Sequence, residues 1–146
     1  MLWMSFGELR EVPLKRGGTH QIGQWALHVQ TAWRFVRESA IVLGITDVYH
    51  YAEDGAAFDW DKDGESRFDC HAAELNEGFE AKAEIVTKVT CDDVGGFSLY
   101  LKSGLRFDVF PCVAFSSPDF EFWRFFEPAT ENDHYVVDTI EGRTKG

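Results

Sequence analysis

The chain has 146 residues, with 14 Lys and Arg against 25 Asp and Glu, and a formal charge of −11 at pH 7. Such a surface repels phosphate backbones and anionic lipid, which argues against nucleic acid or a membrane as partner and suits a basic protein. Apolar residues make up 45%, and Phe (13), Trp (5) and Tyr (4) supply enough ring surface for the core of one domain, 1–146, without disulfide staples.

Cys70, Cys91 and Cys112 are odd in number, widely spaced and form no C-x-x-C pair. That is a pattern of buried, inert thiols in a reducing compartment, not of a disulfide framework. The N-terminal MLWMSFGELREV carries Glu8 and Glu11 where a signal peptide needs an unbroken apolar run. The longest aliphatic stretch, AIVLGI at 40–45, is too short to span a bilayer. The chain therefore reads as cytoplasmic.

Period-two patterning begins in WALHVQTAWRF. Trp25, Leu27, Val29, Thr31, Trp33 and Phe35 fall on one side; Ala26, His28, Gln30, Ala32 and Arg34 fall on the other. This predicts a half-buried strand or bent strand pair with a polar second face. SAIVLGITDVYHY follows as a β-branched and aromatic strand, with a bulge or bend at Gly44. One helix is expected, capped by Ser66 with Asp69 three residues on. Phe68, Ala72 and Leu75 lie along its inner face, and Gly78 is its stop. AEIVTKVTC alternates again through Ile85, Thr87, Val89 and Cys91.

GGFSLYLKSGLRFDVFP is a hairpin whose register follows from burial. A two-residue loop at Ser103 and Gly104 would put Phe97, Leu99 and Leu101 on the face opposite Leu105, Phe107 and Val109. A three-residue loop, Lys102 to Gly104, pairs Leu101 with Leu105, Leu99 with Phe107 and Phe97 with Val109, so all six share one face. It also puts Gly104 where such loops need a left-handed residue. FEFWRFF and HYVVDTI are late strands, and the tail 141–146 has no apolar anchor and is expected to fray. The fold class is mainly β: one antiparallel-rich domain (a curved sheet, sandwich or half-barrel) with one short helix.

DWDKDGESRFDC at 59–70 begins like a calcium loop, with Asp59, Asp61, Asp63 and then Gly64. The match fails at position 12, where Cys70 replaces the bidentate Glu, and at position 9, which is Arg67. The simpler reading is a tight acidic turn, with Trp60 pointing inward and Glu65 and Asp69 at the helix N-terminus. No metal and no cofactor is assigned. The histidines 20, 28, 50, 71 and 134 make no H-x-x-x-H or H-E-x-x-H, and Cys70 and His71 point about 100° apart on a helix. G-x-S-x-G, Walker-type and G-x-G-x-x-G motifs are absent, and Gly17-Gly18 and Gly95-Gly96 are turn glycines. No catalytic residue is assigned. His28, Gln30 and Arg34 lie on the polar face of the Trp-rich segment, and Trp123-Arg124 forms a second Trp-Arg pair. Were the two segments neighbours, His28, Gln30, Arg34 and Arg124 would line an anion or partner pocket. The competing reading pairs both arginines internally with Asp and Glu.

WALHVQTAWRFV, GITDVY, FDWD, GLRFDVFP and FWRFF occur here in that order. Over about residues 2 to 137 the chain resembles a group of small, uncharacterised bacterial proteins that look like immunity-type neighbours of polymorphic toxins. The resemblance lends no catalytic residues, and Asp63 departs from its pattern. It implies an immunity-type protein; with the charge of −11 and the absence of catalytic motifs, the expectation is a non-catalytic protein that neutralises a basic toxin, and the acidic loop offers Asp59, Asp61, Asp63, Glu65 and Asp69 as the partner-binding acids. The alternative is a small-molecule-binding β domain using the His28/Arg34/Arg124 face. A homodimer through edge pairing stays open.

Overall fold

The structure is a computed structural model that describes residues 1–14, 17–51, 59, 62, 64–114, 120–128, 130–138 and 144–145. In chain order its elements are β1 (Leu2–Pro13), β2 (Thr19–Val29), β3 (Ala32–Arg37), β4 (Ala40–Gly44), a 3-10 turn (Ile45–Tyr49), α1 (Arg67–Ala81), β5 (Val86–Cys91), β6 (Phe97–Leu101), β7 (Leu105–Phe110), β8 (Glu121–Phe126), β9 (Tyr135–Asp138) and β10 (Thr144–Lys145). The fold is mainly β and every strand pair is antiparallel. There are two five-stranded sheets, ordered β1-β2-β8-β9-β10 and β4-β3-β7-β6-β5.

The chain divides into two compact units, one around each sheet. The first comprises 1–31, 93–95 and 111–146, and the second 32–92 and 96–110. Neither is one continuous stretch. The Trp-rich segment, expected as one strand or a bent strand pair, is two strands: β2 ends at Val29 and β3 starts at Ala32 in the other sheet.

In the first unit, Leu2, Met4 and Phe6 of β1 alternate with exposed Trp3 and Ser5, a period-two pattern that the sequence reading passed over. β1 then gains one residue on β2 between Phe6 and Leu9, a bulge that Gly7 allows by taking φ +76°. Ala26, Leu27, Val29, Phe122 and Val137 are buried. Within the tail expected to fray, Thr144 and Lys145 pair with Val137 and Val136 of β9.

In the second unit, β6 and β7 pair Phe97 with Val109 and Leu99 with Phe107, the register that burial predicts for a Lys102–Gly104 loop. Gly104 sits at φ +86° and donates its N–H to the Leu101 carbonyl at 3.0 Å. β3 continues the same row, with Phe35 opposite Phe107 and ring centroids 4.6 Å apart. Phe107 has no exposed surface. β4 ends at Gly44 and the chain turns into the 3-10 segment, so ITDVYHY is not a strand. The bulge lies one turn of the pleat earlier, where Val36 and Phe35 face Ile41 and Leu43. Asp47 ends β4 by accepting the Gly44 N–H at 2.7 Å.

Ser66 caps α1 as expected: its Oγ accepts the Asp69 N–H at 3.0 Å, and the Asp69 carboxylate accepts from Ser66 in return. The helix does not stop at Gly78. Phe79, one turn beyond Leu75, extends the half-buried face of Phe68, Ala72 and Leu75, and the helix runs to Ala81. Phe68 packs edge-on to Trp33 at 6.0 Å, and His71 Nδ1 donates to the Val42 carbonyl at 2.9 Å. Ile85, just before β5, and Val89 on it are 54% and 55% exposed; β5 is an outer strand of its sheet. The cysteines are free but not buried: Cys91 and Cys112 are exposed and Cys70 is partly so.

Nothing lies within 4 Å of a Cβ built on Gly104, so replacing it tests backbone conformation alone. Gly104→Ala is expected to cost about 1–2 kcal/mol in urea unfolding, and Gly104→Asn clearly less, since Asn tolerates the left-handed region.

Candidate functional site

The acids of the 59–69 segment divide by what they bond. Asp61 and Asp63, with Trp60, lie outside the described residues. Glu65 accepts the Tyr51 hydroxyl at 3.1 Å and pairs with Lys62 at 3.0 Å. Asp69 accepts from Gly64 N–H, Ser66 N–H and Ser66 Oγ. Asp59 is exposed, and its carbonyl accepts the Lys62 N–H at 3.3 Å. Glu65 and Asp69 are thus engaged in holding their own unit. Among the described residues no group of three His, Cys, Asp or Glu could hold a metal ion.

A second acidic feature was not singled out from the sequence. Glu74, Glu77 and Glu80 are exposed on the side of α1 opposite Phe68, Ala72, Leu75 and Phe79. Their i, i+3 spacing makes them mutual neighbours, and like charges so placed repel. The helix has no basic residue in its last turn, where backbone carbonyls already carry partial negative charge. None of the three makes an ion pair among the described residues. The signal was readable: E-x-x-E-x-x-E continues straight from the helix start that the capping box marks.

The His28/Gln30/Arg34/Arg124 set separates. His28 and Arg124 are direct cross-strand partners on β2 and β8. Gln30 is exposed, and its N–H donates to the Phe122 carbonyl at 2.8 Å. Arg34 belongs to the other unit, where its Nε donates to Asp108 at 3.0 Å. Both arginines have internal carboxylate partners, since Arg124 forks onto Glu121 through Nε and Nη2.

Around His28 the first unit builds an aromatic cluster. The Trp3 ring is 4.1 Å away and that of Phe126 4.7 Å, while Phe126 stacks on His134 at 4.4 Å. Arg124 Nη1 lies 3.3 Å from His134 Nδ1. His28 Nε2 is buried with no hydrogen-bond partner among the described residues. Burial first, then the Arg124 charge and His134, push the His28 pKa below its ordinary value; Glu121 opposes them. Trp3 remains 58% exposed over this cluster.

The second unit holds a tighter polar network. Asp108 is 7% exposed in the middle of β7, with Arg34 opposite it on β3 and Ser98 opposite it on β6. It accepts from Ser98 Oγ at 2.7 Å, Arg106 Nε at 2.8 Å, Arg106 Nη2 at 3.1 Å and Arg34 Nε at 3.0 Å. Burial alone would raise the Asp108 pKa, but the hydrogen bonds from Ser98, Arg106 and Arg34 outweigh it and hold the carboxyl below its ordinary value.

No family model, no curated protein and no solved structure matches this chain. No helix among the described residues is long and apolar enough to cross a membrane. The outer strands are β1 and β10 in one sheet and β4 and β5 in the other.

His28 gives the first unit a pH dependence with a definite sign. Its folded pKa lies below the ordinary 6.5, so the unfolded chain binds the proton more tightly. The stabilisation is complete above 6.5 and is lost as the pH falls through the lowered folded value. His28→Phe, which keeps a ring between Trp3 and Phe126, is expected to flatten the fall of Tm on acidification through this range. An unchanged slope would remove His28 as the cause.

Proposed function

We propose that the protein is a non-catalytic interaction protein that binds a basic protein partner, and that the partner is a toxin it neutralises. The observation that carries this reading is the unneutralised Glu74–Glu77–Glu80 run on the outer face of α1. A helix in isolation is better off with basic residues in its last turn. Keeping Glu80 there, with Glu77 and Glu74 at i, i+3 spacing before it, costs stability, and a cationic surface laid against the three would offset it. The formal charge of −11 points to the same partner class and speeds encounter with it. The sequence resemblance to immunity-type bacterial proteins supports the toxin as the partner.

Stability and binding should move in opposite directions at these positions. Glu80→Lys is expected to raise the unfolding free energy by about 0.3–1 kcal/mol at low ionic strength, by removing repulsion and complementing the helix end. The gain should shrink in high salt. Urea titrations at two salt concentrations read this directly.

The binding test uses the tagged protein and the Glu74→Lys/Glu77→Lys/Glu80→Lys variant side by side on host lysate. The wild type should retain one stoichiometric basic protein that salt releases, and the variant should not. Co-expression with the wild type should relieve the growth arrest that this captured protein causes alone. Equal capture by both proteins, or capture indifferent to salt, would overturn the reading.

A further inference from the structure

The outer strands of the two sheets are not equally guarded. β10 is two residues long, and β4 has five and meets β3 with a bulge. β5 has exposed Lys88 in its middle, with a bulge beside it. Short length, lysine and bulges are the devices that keep a sheet edge from taking another strand. β1 is 12 residues long, and its bulge comes only after Phe6, with Glu8, Arg10 and Glu11 in the half that follows. The first half, Leu2–Phe6, has no charged side chain, no proline and no bulge. Among the described residues no strand pairs with its outer side. A flat, uncharged edge of this kind is a template for one more strand.

The alternation along this edge decides which strand fits. Leu2, Met4 and Phe6 are half-buried on one side, while Trp3 and Ser5 are exposed on the other, Trp3 to 58%. Residues opposite one another in an antiparallel pair share a face. A second copy of the same segment, laid antiparallel with Met4 opposite Met4, sets Leu2 opposite Phe6 and Trp3 opposite Ser5. The apolar row of one copy is then continued by that of the other, and each indole meets the smallest side chain of the segment. An axis at Trp3 would set two indoles against each other. An axis at Ser5 would bring Trp3 opposite Gly7, whose φ of +76° ends the flat edge. The formal charge of −11 opposes self-association, yet no charged side chain lies in 1–7. With Met4 on the axis the two copies of Glu8 stand roughly 25 Å apart along the strands. That is about three Debye lengths at physiological salt.

We infer that the Leu2–Phe6 edge of β1 pairs with the same edge of a second copy of this chain, in a two-fold homodimer whose β1-bearing sheets run on as one. Two-fold pairing is closed: it uses up both β1 edges, so assembly stops at two copies. The contact lies in the first unit, whereas the acidic face of α1 belongs to the second. The two interactions also respond oppositely to salt. Screening weakens the repulsion between two acidic chains and strengthens this pairing, while it releases a basic partner from the glutamates of α1.

The test is sedimentation equilibrium of the full chain from about 1 μM to 1 mM at low and high salt, the range a small interface calls for, with amide hydrogen exchange on the same samples. A reversible monomer–dimer equilibrium should appear, with more dimer at high salt. Amides of residues 2–6 should exchange more slowly at high protein concentration, and the rest should not change. Ser5→Glu puts two carboxylates diagonally across the axis, their Cβ atoms about 7–8 Å apart. It should weaken the dimer about 10-fold or more, whereas uncharged, β-branched Ser5→Thr should keep it. Ser5 is exposed, so dilute Ser5→Glu should unfold at the wild-type temperature. Should that variant lose its fold, the wild-type exchange pattern decides alone. A chain still monomeric at 1 mM, a dimer weakened by salt, protection confined to another strand, wild-type dimer affinity in Ser5→Glu, or growth beyond two copies would each overturn the inference.

Discussion

Phe107 lies in register with Phe35 on one side and Leu99 on the other, and this three-strand row is the constraint on which the second unit depends. The neighbouring row, one residue along each strand, is Arg34, Asp108 and Ser98. The two rows face opposite ways because side chains alternate across a strand. A slip of one residue would expose the rings and bury two guanidiniums. Burial of the first row therefore fixes the geometry of the second, and with it the aim of the arginines. Asp108 adds to this lock: misregister would strand a buried carboxylate without partners, a cost well above that of an ordinary exposed residue.

The protein uses its carboxylates in two distinct ways. Asp108, Asp69, Glu65 and Glu121 are engaged, each with hydrogen bonds that orient a neighbouring element or side chain. Glu74, Glu77 and Glu80 make no such bonds among the described residues, and Glu80 also stands against the helix dipole. An excess of acid would keep the chain soluble wherever it sat on the surface. Placement on one helix face, in mutual repulsion, is what sets these three apart from the other acids. The first unit shows the complementary economy with rings: Trp3, Phe126 and His134 enclose His28 and Arg124, so that a polar strand face is covered by aromatic edges.

Local patterns in the chain were legible where one period ruled the whole element. Three residues from Ser66 to Asp69 marked the helix start, since the cap bonds are local. The hairpin could be registered because a single alternation of six apolar residues admits one pairing. The same argument already placed Ser98 opposite Asp108, though the polar half of that pairing went unread. The helix end was misjudged because Gly78 is only a local signal, and Phe79 beyond it gains more from its packing face than glycine costs. ITDVYHY carried strand-forming residues yet turned, because Asp47 reaches back to the Gly44 N–H.

What no window of the chain encodes is which strand lies beside which. His28 and Arg124 stand 96 positions apart and meet only because β8 pairs with β2. Arg34, six positions from His28, belongs instead to the other sheet, since the chain changes sheets between Val29 and Ala32. Composition and periodicity were enough for a mainly β chain, its hairpin, its capped helix and its acidic character. The partners of each arginine were a matter of long-range strand pairing. That pairing is selected by the burial of whole faces, a property of the assembled sheet that no local run of residues possesses.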